Sequence, residues 1–116
     1  MAICIKIGNV IQINEKPLSC NEQWQGKRFK TTKYRGYEEL LLLTLPSLKI
    51  PEKPLKVMFE FGFSNKCSDI DNCVKSCLDI LCKKYGFDDR DIYRLEVTKV
   101  IVPAKKEYTK FEIQSL

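Results

Sequence analysis

Asp69, Asp71, Asp79, Asp88 and Asp89 crowd a short stretch of an otherwise basic chain, with Lys75 among them. Carboxylates converging from a helix start and from a later loop are what a hard divalent cation needs. Magnesium takes oxygen ligands in near-octahedral geometry, commonly one or two carboxylates with substrate phosphates and water. A lysine beside them binds a phosphate oxygen or balances charge as a reaction proceeds. The net charge of the chain is +5, which favours a polyanionic substrate. Together these residues suit metal-assisted phosphodiester hydrolysis, in which the metal polarises a phosphoryl oxygen and lowers the pKa of bound water. The chain contains no histidine. That removes histidine general-base chemistry, Ser–His and Cys–His catalysis, and zinc sites that need imidazole. The bland alternative is an intrahelical ladder, Asp71–Lys75–Asp79, worth about 0.2–0.5 kcal/mol per pair. It accounts poorly for Asp69 and not at all for Asp88 and Asp89.

These residues need elements to hold them. Ile3 to Ile13 alternates loosely and predicts a strand or hairpin. Pro17 to Gly26 reads as irregular. Thr31 or Thr32 suits the cap of a helix running to about Leu45. Pro46, Pro51 and Pro54 then impose a connector. Leu55 to Phe63 reads as a strand with Val57, Phe59 and Phe61 on one face, and 64–68 as a turn. A second helix is expected to open at Asp69 or Asp71 and to stop at Gly86. Ile70, Val74, Cys77, Leu78, Leu81 and Tyr85 form its apolar stripe. Asp71, Lys75 and Asp79, one turn apart, run along the edge of that stripe. Asp91 to Val102 reads as a strand, Pro103 breaks it, and Glu107 to Ile113 pairs back as a hairpin. The expectation is one α+β domain over 1–116, a mixed sheet with two helices in the order β-α-β-α-β-β.

The stretch from Trp24 to Arg35 holds Lys27, Arg28, Lys30, Lys33 and Arg35, three aromatics and no acid. Bases of this kind neutralise phosphates and release counterions. Lys83–Lys84 and Lys105–Lys106 are weaker patches that read as solvated. The six cysteines show neither paired CxxC spacing nor a signal peptide ahead of them. They are read as small apolar core residues in a reducing cytoplasm. Leu40 to Leu43 is apolar but too short to span a membrane.

The spacing DxDNxxKxxxD from Asp69 to Asp79, followed by Gly86-Phe87 and the pair Asp88-Asp89, resembles the RusA family of Holliday junction resolvases. Asp69, Asp71, Asn72, Lys75, Asp79, Asp88 and Asp89 fall where that pattern asks. Upstream, Ser19, Asn21, Gly26 to Phe29 and Tyr34 resemble the family's approach to its first helix. The likeness covers about residues 19–99. The resemblance implies a RusA-like fold and a crossover-junction endodeoxyribonuclease that resolves four-way junctions in DNA recombination and repair. It implies magnesium, with manganese able to substitute, on Asp69, Asp71 and Asp89. Lys75 is catalytic in that pattern, with Asn72, Asp79 and Asp88 in support. It further implies a homodimer on branched DNA, in a bacterial or phage-infected cytoplasm, with no membrane and no small-molecule cofactor. Three other readings stand beside it: a junction-binding protein without cleavage, a general flap or fork nuclease, and a zinc or redox cysteine protein.

Overall fold

Alternation of inward apolar and outward polar residues builds the sheet that carries everything else. In the computed structural model, which describes residues 3–19, 24–25 and 29–116, seven strands and two α-helices are formed. β1 (Cys4–Ile7) and β2 (Val10–Ile13) form an antiparallel hairpin. Its two-residue loop needs a positive φ at the first central position, and Gly8 supplies it at +62°. β3 (Trp24–Gln25) and β4 (Phe29–Lys30) pair as a small separate ladder, the first of them within the stretch Pro17 to Gly26 that the sequence suggests is irregular. α1 spans Thr32–Thr44, β5 Leu55–Phe63, α2 Val74–Tyr85, β6 Ile92–Ile101 and β7 Tyr108–Ser115. A one-turn 3₁₀ helix at Asp89–Asp91 leads into β6.

The main sheet has the order β1-β2-β7-β5-β6. All its pairs are antiparallel except β5–β6, which is parallel and joined through α2. A parallel pair requires such a crossover, because its strand ends lie at opposite ends of the sheet. The expected α+β class with a mixed sheet and two helices is therefore what the chain adopts.

One sheet face forms the core. Ile11 and Ile13 on β2, Val57, Phe59, Phe61 and Phe63 on β5, and Phe111 and Ile113 on β7 are all buried there. The three β5 rings stack in sequence, with centroids 5.3 and 5.9 Å apart. The opposite face carries Lys56, Glu60, Glu96, Lys110 and Glu112, a pattern suited to solvent.

α1 begins where the sequence suggests. The Thr31 hydroxyl accepts the Tyr34 backbone N–H at 3.1 Å, satisfying one orphan donor of the first turn. Its inward residues are Tyr34, Glu38 and Leu41, spaced i, i+4, i+7. α2 buries Cys77, Leu78, Ile80 and Leu81 and ends on Gly86, whose left-handed φ of 73° closes the last turn. The two helices are tied together by Tyr34, whose hydroxyl donates to the Ser76 carbonyl, and by Lys84, whose ammonium donates to the Leu42 carbonyl at 2.9 Å.

α2 starts at Val74, later than the expected Asp69 or Asp71. Residues 69–73 form successive turns instead: Asn72 N–H donates to the Asp69 carbonyl at 3.1 Å and Val74 N–H to that of Asp71 at 3.2 Å. Asp and Asn favour such local turns over helix interiors. Ile70, expected on the apolar stripe of the helix, is consequently outside it and 46% exposed.

Candidate functional site

The outer edge of α2 presents Lys75, Asp79 and Cys82, spaced i, i+4, i+7 and so stacked along one stripe of the helix. The loop after Gly86 returns beside that stripe and brings Asp89 to it. The Lys75 ammonium donates to Asp79 Oδ1 at 3.0 Å and to Asp89 Oδ2 at 2.6 Å. The Cys82 thiol donates to the other Asp89 oxygen, Oδ1, at 3.1 Å. Both oxygens of Asp89 are thus engaged from two turns of one helix.

The electrostatics follow from this contact. The hydrogen bond from Lys75, then that from Cys82, holds the Asp89 carboxyl below the usual carboxylate range. The same bond to Asp89, followed by the one to Asp79, raises the Lys75 ammonium above its ordinary value. Lys75 therefore stays charged at any physiological pH. Burial, and then the bond to Asp89, pushes the Cys82 thiol up to about 12, so it is a neutral donor and a poor nucleophile.

Asp88 and Asp91 build the turn that aims Asp89. Asp88 Oδ1 accepts the Arg90 backbone N–H at 3.2 Å, and Asp91 Oδ2 accepts that of Asp88 at 3.0 Å. Lys53 secures Asp91 at 2.9 Å. In the folded chain Asp88 caps the 3₁₀ turn that carries Asp89.

Asp69 and Asp71 project from the exposed turn before α2. That turn is anchored from β6, where the Lys99 ammonium donates to the Lys66 carbonyl at 2.8 Å and to the Ser68 carbonyl. Within it, Asn65 Oδ1 accepts the Cys67 N–H at 2.8 Å. Asn72 is half-buried beside the two acids. With Asp71 outside the helix, the expected Asp71–Lys75–Asp79 ladder reduces to Lys75–Asp79 plus the long-range partner Asp89.

The oxygen chemistry of Asp69, Asp71 and Asp89 suits magnesium. As placed here they do not converge: among the described residues, no three acidic or cysteine side chains are gathered to hold a metal. Asp89 has one carboxylate oxygen committed to Lys75 and the other to Cys82.

The basic stretch divides. Lys27 and Arg28, like Asn21 and Gly26, lie outside the described residues. Lys30 is turned inward: it reaches Glu38 at 3.2 Å and lies 5.3 Å from the Tyr34 ring centroid. Lys83 meets the other Glu38 oxygen at 3.1 Å. Burial opposes ionisation of Glu38, but Lys83 and Lys30 together outweigh it and hold its carboxyl below the ordinary value. Lys30 therefore fastens β4 to α1, and of the expected phosphate-binding set only Lys33 and Arg35 are exposed among the described residues. Cys73 and Cys77 are buried in the core as expected. Cys4 and Cys82 are half-buried and pack against the rim of that core, whereas Cys67 is exposed, so the core reading does not extend to it.

Cys82 and Glu38, together with Lys53, Asp91 and Lys99, which hold the two turns, are contributors that the sequence reading passes over. Cys82 was legible as the i+7 neighbour of Lys75, had it been grouped with the charged stripe instead of the cysteines. Among the described residues, no helix is long and apolar enough to cross a membrane. In comparisons with known proteins, no family model and no curated protein matches this chain.

Proposed function

We propose that this chain is a magnesium-dependent endodeoxyribonuclease of the RusA type that cuts branched DNA, four-way junctions above all, as a homodimer. The observation that carries the reading is the Lys75 ammonium held between Asp79 and Asp89 on an exposed helix edge. Lys75 is held charged and positioned by two carboxylates, on the helix that follows the acidic turn 69–71. A phosphodiester lying along that helix edge would place its developing negative charge against Lys75. Lys33 and Arg35 on α1 would contact the flanking backbone. Asp69, Asp71 and Asp89 are the proposed magnesium ligands, and for Asp89 this requires that Lys75 release it. A bacterial or phage-infected cytoplasm belongs to the same proposal.

A second reading is a junction-binding protein that does not cut. It is favoured by one observation: the acids do not converge while Asp89 is paired with Lys75 and Cys82. Incubation with labelled four-way junction, flap, fork and linear duplex, with and without magnesium, decides between them. Paired cuts in the junction only when magnesium is present are expected. Retarded but intact junction would favour the silent binder, and neither binding nor cutting would overturn both readings.

A further inference from the structure

The backbone around Asp89 is fixed by the capping box of the 3₁₀ turn, and the Ile92 N–H donates to the Asp89 carbonyl. The carboxylate itself keeps two side-chain torsions, the outer of them broad and roughly two-fold. Two donors act on that freedom, and they differ in kind. Lys75 reaches Oδ2 from a flexible four-carbon stem that is 57% exposed, and its ammonium has three rotatable donors. Such a group follows a carboxylate as it turns. Cys82 reaches Oδ1 from a single torsion. Its backbone is held in the last turn of α2, where its carbonyl accepts the Gly86 N–H at 2.9 Å. Its side chain packs against the rim of the core that Leu78 and Leu81 enter from the same helix.

We infer that Cys82 is a positioning residue: its thiol, rather than the Lys75 ammonium, fixes the plane of the Asp89 carboxylate and keeps Oδ2 aimed at the place Lys75 occupies. An ionised carboxylate only accepts, so the proton of the contact is the thiol's. S–H is a weak donor, but a charged acceptor makes the bond stronger than a neutral one would. When Lys75 leaves Asp89 for a phosphate oxygen, Oδ1 stays anchored and Oδ2 does not swing away. Without the thiol, Asp89 depends on Lys75 alone, and the same departure frees it to rotate. Groups misplaced by about 1 Å lose about a hundredfold in rate. That consequence for turnover rests on the nuclease reading. The hold on Asp89 does not.

A thiol that merely fills the rim of the core makes the opposite demand on position 82. Valine keeps the apolar bulk and removes the donor. Serine keeps a donor on a single torsion, and a stronger one, but adds polarity at the rim. Positioning therefore tolerates serine and not valine, whereas packing tolerates valine and not serine.

The test uses the full chain and its Cys82→Val, Cys82→Ser, Lys75→Met and Asp89→Asn variants, with circular dichroism confirming that each is folded. The first readout is the infrared S–H stretch, which falls in frequency as a thiol donates. Subtracting the spectrum of either Cys82 variant isolates the Cys82 band. It should be lowered in the wild-type chain, stay lowered in Lys75→Met, and rise in Asp89→Asn. The second readout is single-turnover cleavage of a labelled four-way junction with magnesium. Cys82→Val should cut about ten- to a hundredfold more slowly with junction affinity unchanged, and Cys82→Ser should recover most of the rate. A band that rises in Lys75→Met, wild-type cleavage by Cys82→Val, or Cys82→Ser no better than Cys82→Val would each overturn the inference. A wild-type chain that cuts no DNA, with its thiol band behaving as stated, would support the hold on Asp89 and sink the nuclease reading alone.

Discussion

Replacing Lys75 with methionine separates a structural role from a catalytic one. The ammonium bridges Asp79 and Asp89, and its side chain is 57% exposed. Exposed ion pairs of this kind are worth about 0.2–1 kcal/mol each. Without Lys75 the two carboxylates face one another. Their nearest oxygens lie within about 6 Å, where two unit charges repel by about 0.7 kcal/mol in water and about 3 at an effective dielectric of about 20. Because the site is open, the true cost lies near the aqueous end, and the variant should lose about 1–2 kcal/mol. For a chain of this length that corresponds to a fall in Tm of about 3–8 °C. Turnover, in contrast, should fall by at least about a hundredfold, the usual cost of removing one transition-state donor. Adding Asp89→Asn should relieve the repulsion and restore part of the lost stability, with no return of activity. The two residues would thus be coupled in stability in a double-mutant cycle. The assays are thermal denaturation and single-turnover cleavage of a four-way junction at saturating protein. Cleavage within a few-fold of wild type would refute the role of Lys75. No recovery of Tm in the double variant would refute the view that Asp79 and Asp89 oppose each other across it.

Three further outcomes are expected. Gly62→Ala should destabilise by about 1–3 kcal/mol through overpacking, because a Cβ there would sit 2.5 Å from the Tyr108 ring and push it off its 2.7 Å bond to Glu60; an unchanged denaturation midpoint would contradict this. Glu38→Gln should lower Tm most near neutral pH, and its gap from wild type should close in acid. Because Lys83 and Lys30 depress the folded-state pKa of Glu38, its contribution is present above its ordinary value of 4.5 and is lost as pH falls through the depressed value; a pH-independent gap would exclude the ion-pair origin. Changing Lys33 and Arg35 together to alanine should reduce the slope of log affinity against log salt by roughly 1–2 units on duplex arms; an unaltered slope in a salt titration would place the DNA path elsewhere.

Local chemistry is legible in this sequence wherever neighbours in the chain are also neighbours in space. Thr31 caps α1 and Pro46 follows its end, since capping and proline sterics act within one turn. The alternation through Val57, Phe59 and Phe61 marks the inward face of β5, and Gly86 ends α2, for equally local reasons. The fold class followed from those elements. The acid–lysine set was also visible, as residue types at suggestive spacings. Which acid Lys75 would take was not. Asp71 is four residues away and Asp89 fourteen, and a helical reading favours the nearer one. In the folded chain, residues 69–73 make turns, and the loop after Gly86 lies against the α2 stripe, so Asp89 takes the contact. The sheet order was likewise hidden. Any of the amphipathic strands has a face to bury, and only their joint packing inserts β7 between β2 and β5 and leaves β6 at the edge. Short-range patterns determine which elements form and which faces are apolar. Long-range pairing, settled by burying those faces together, decides which charges meet.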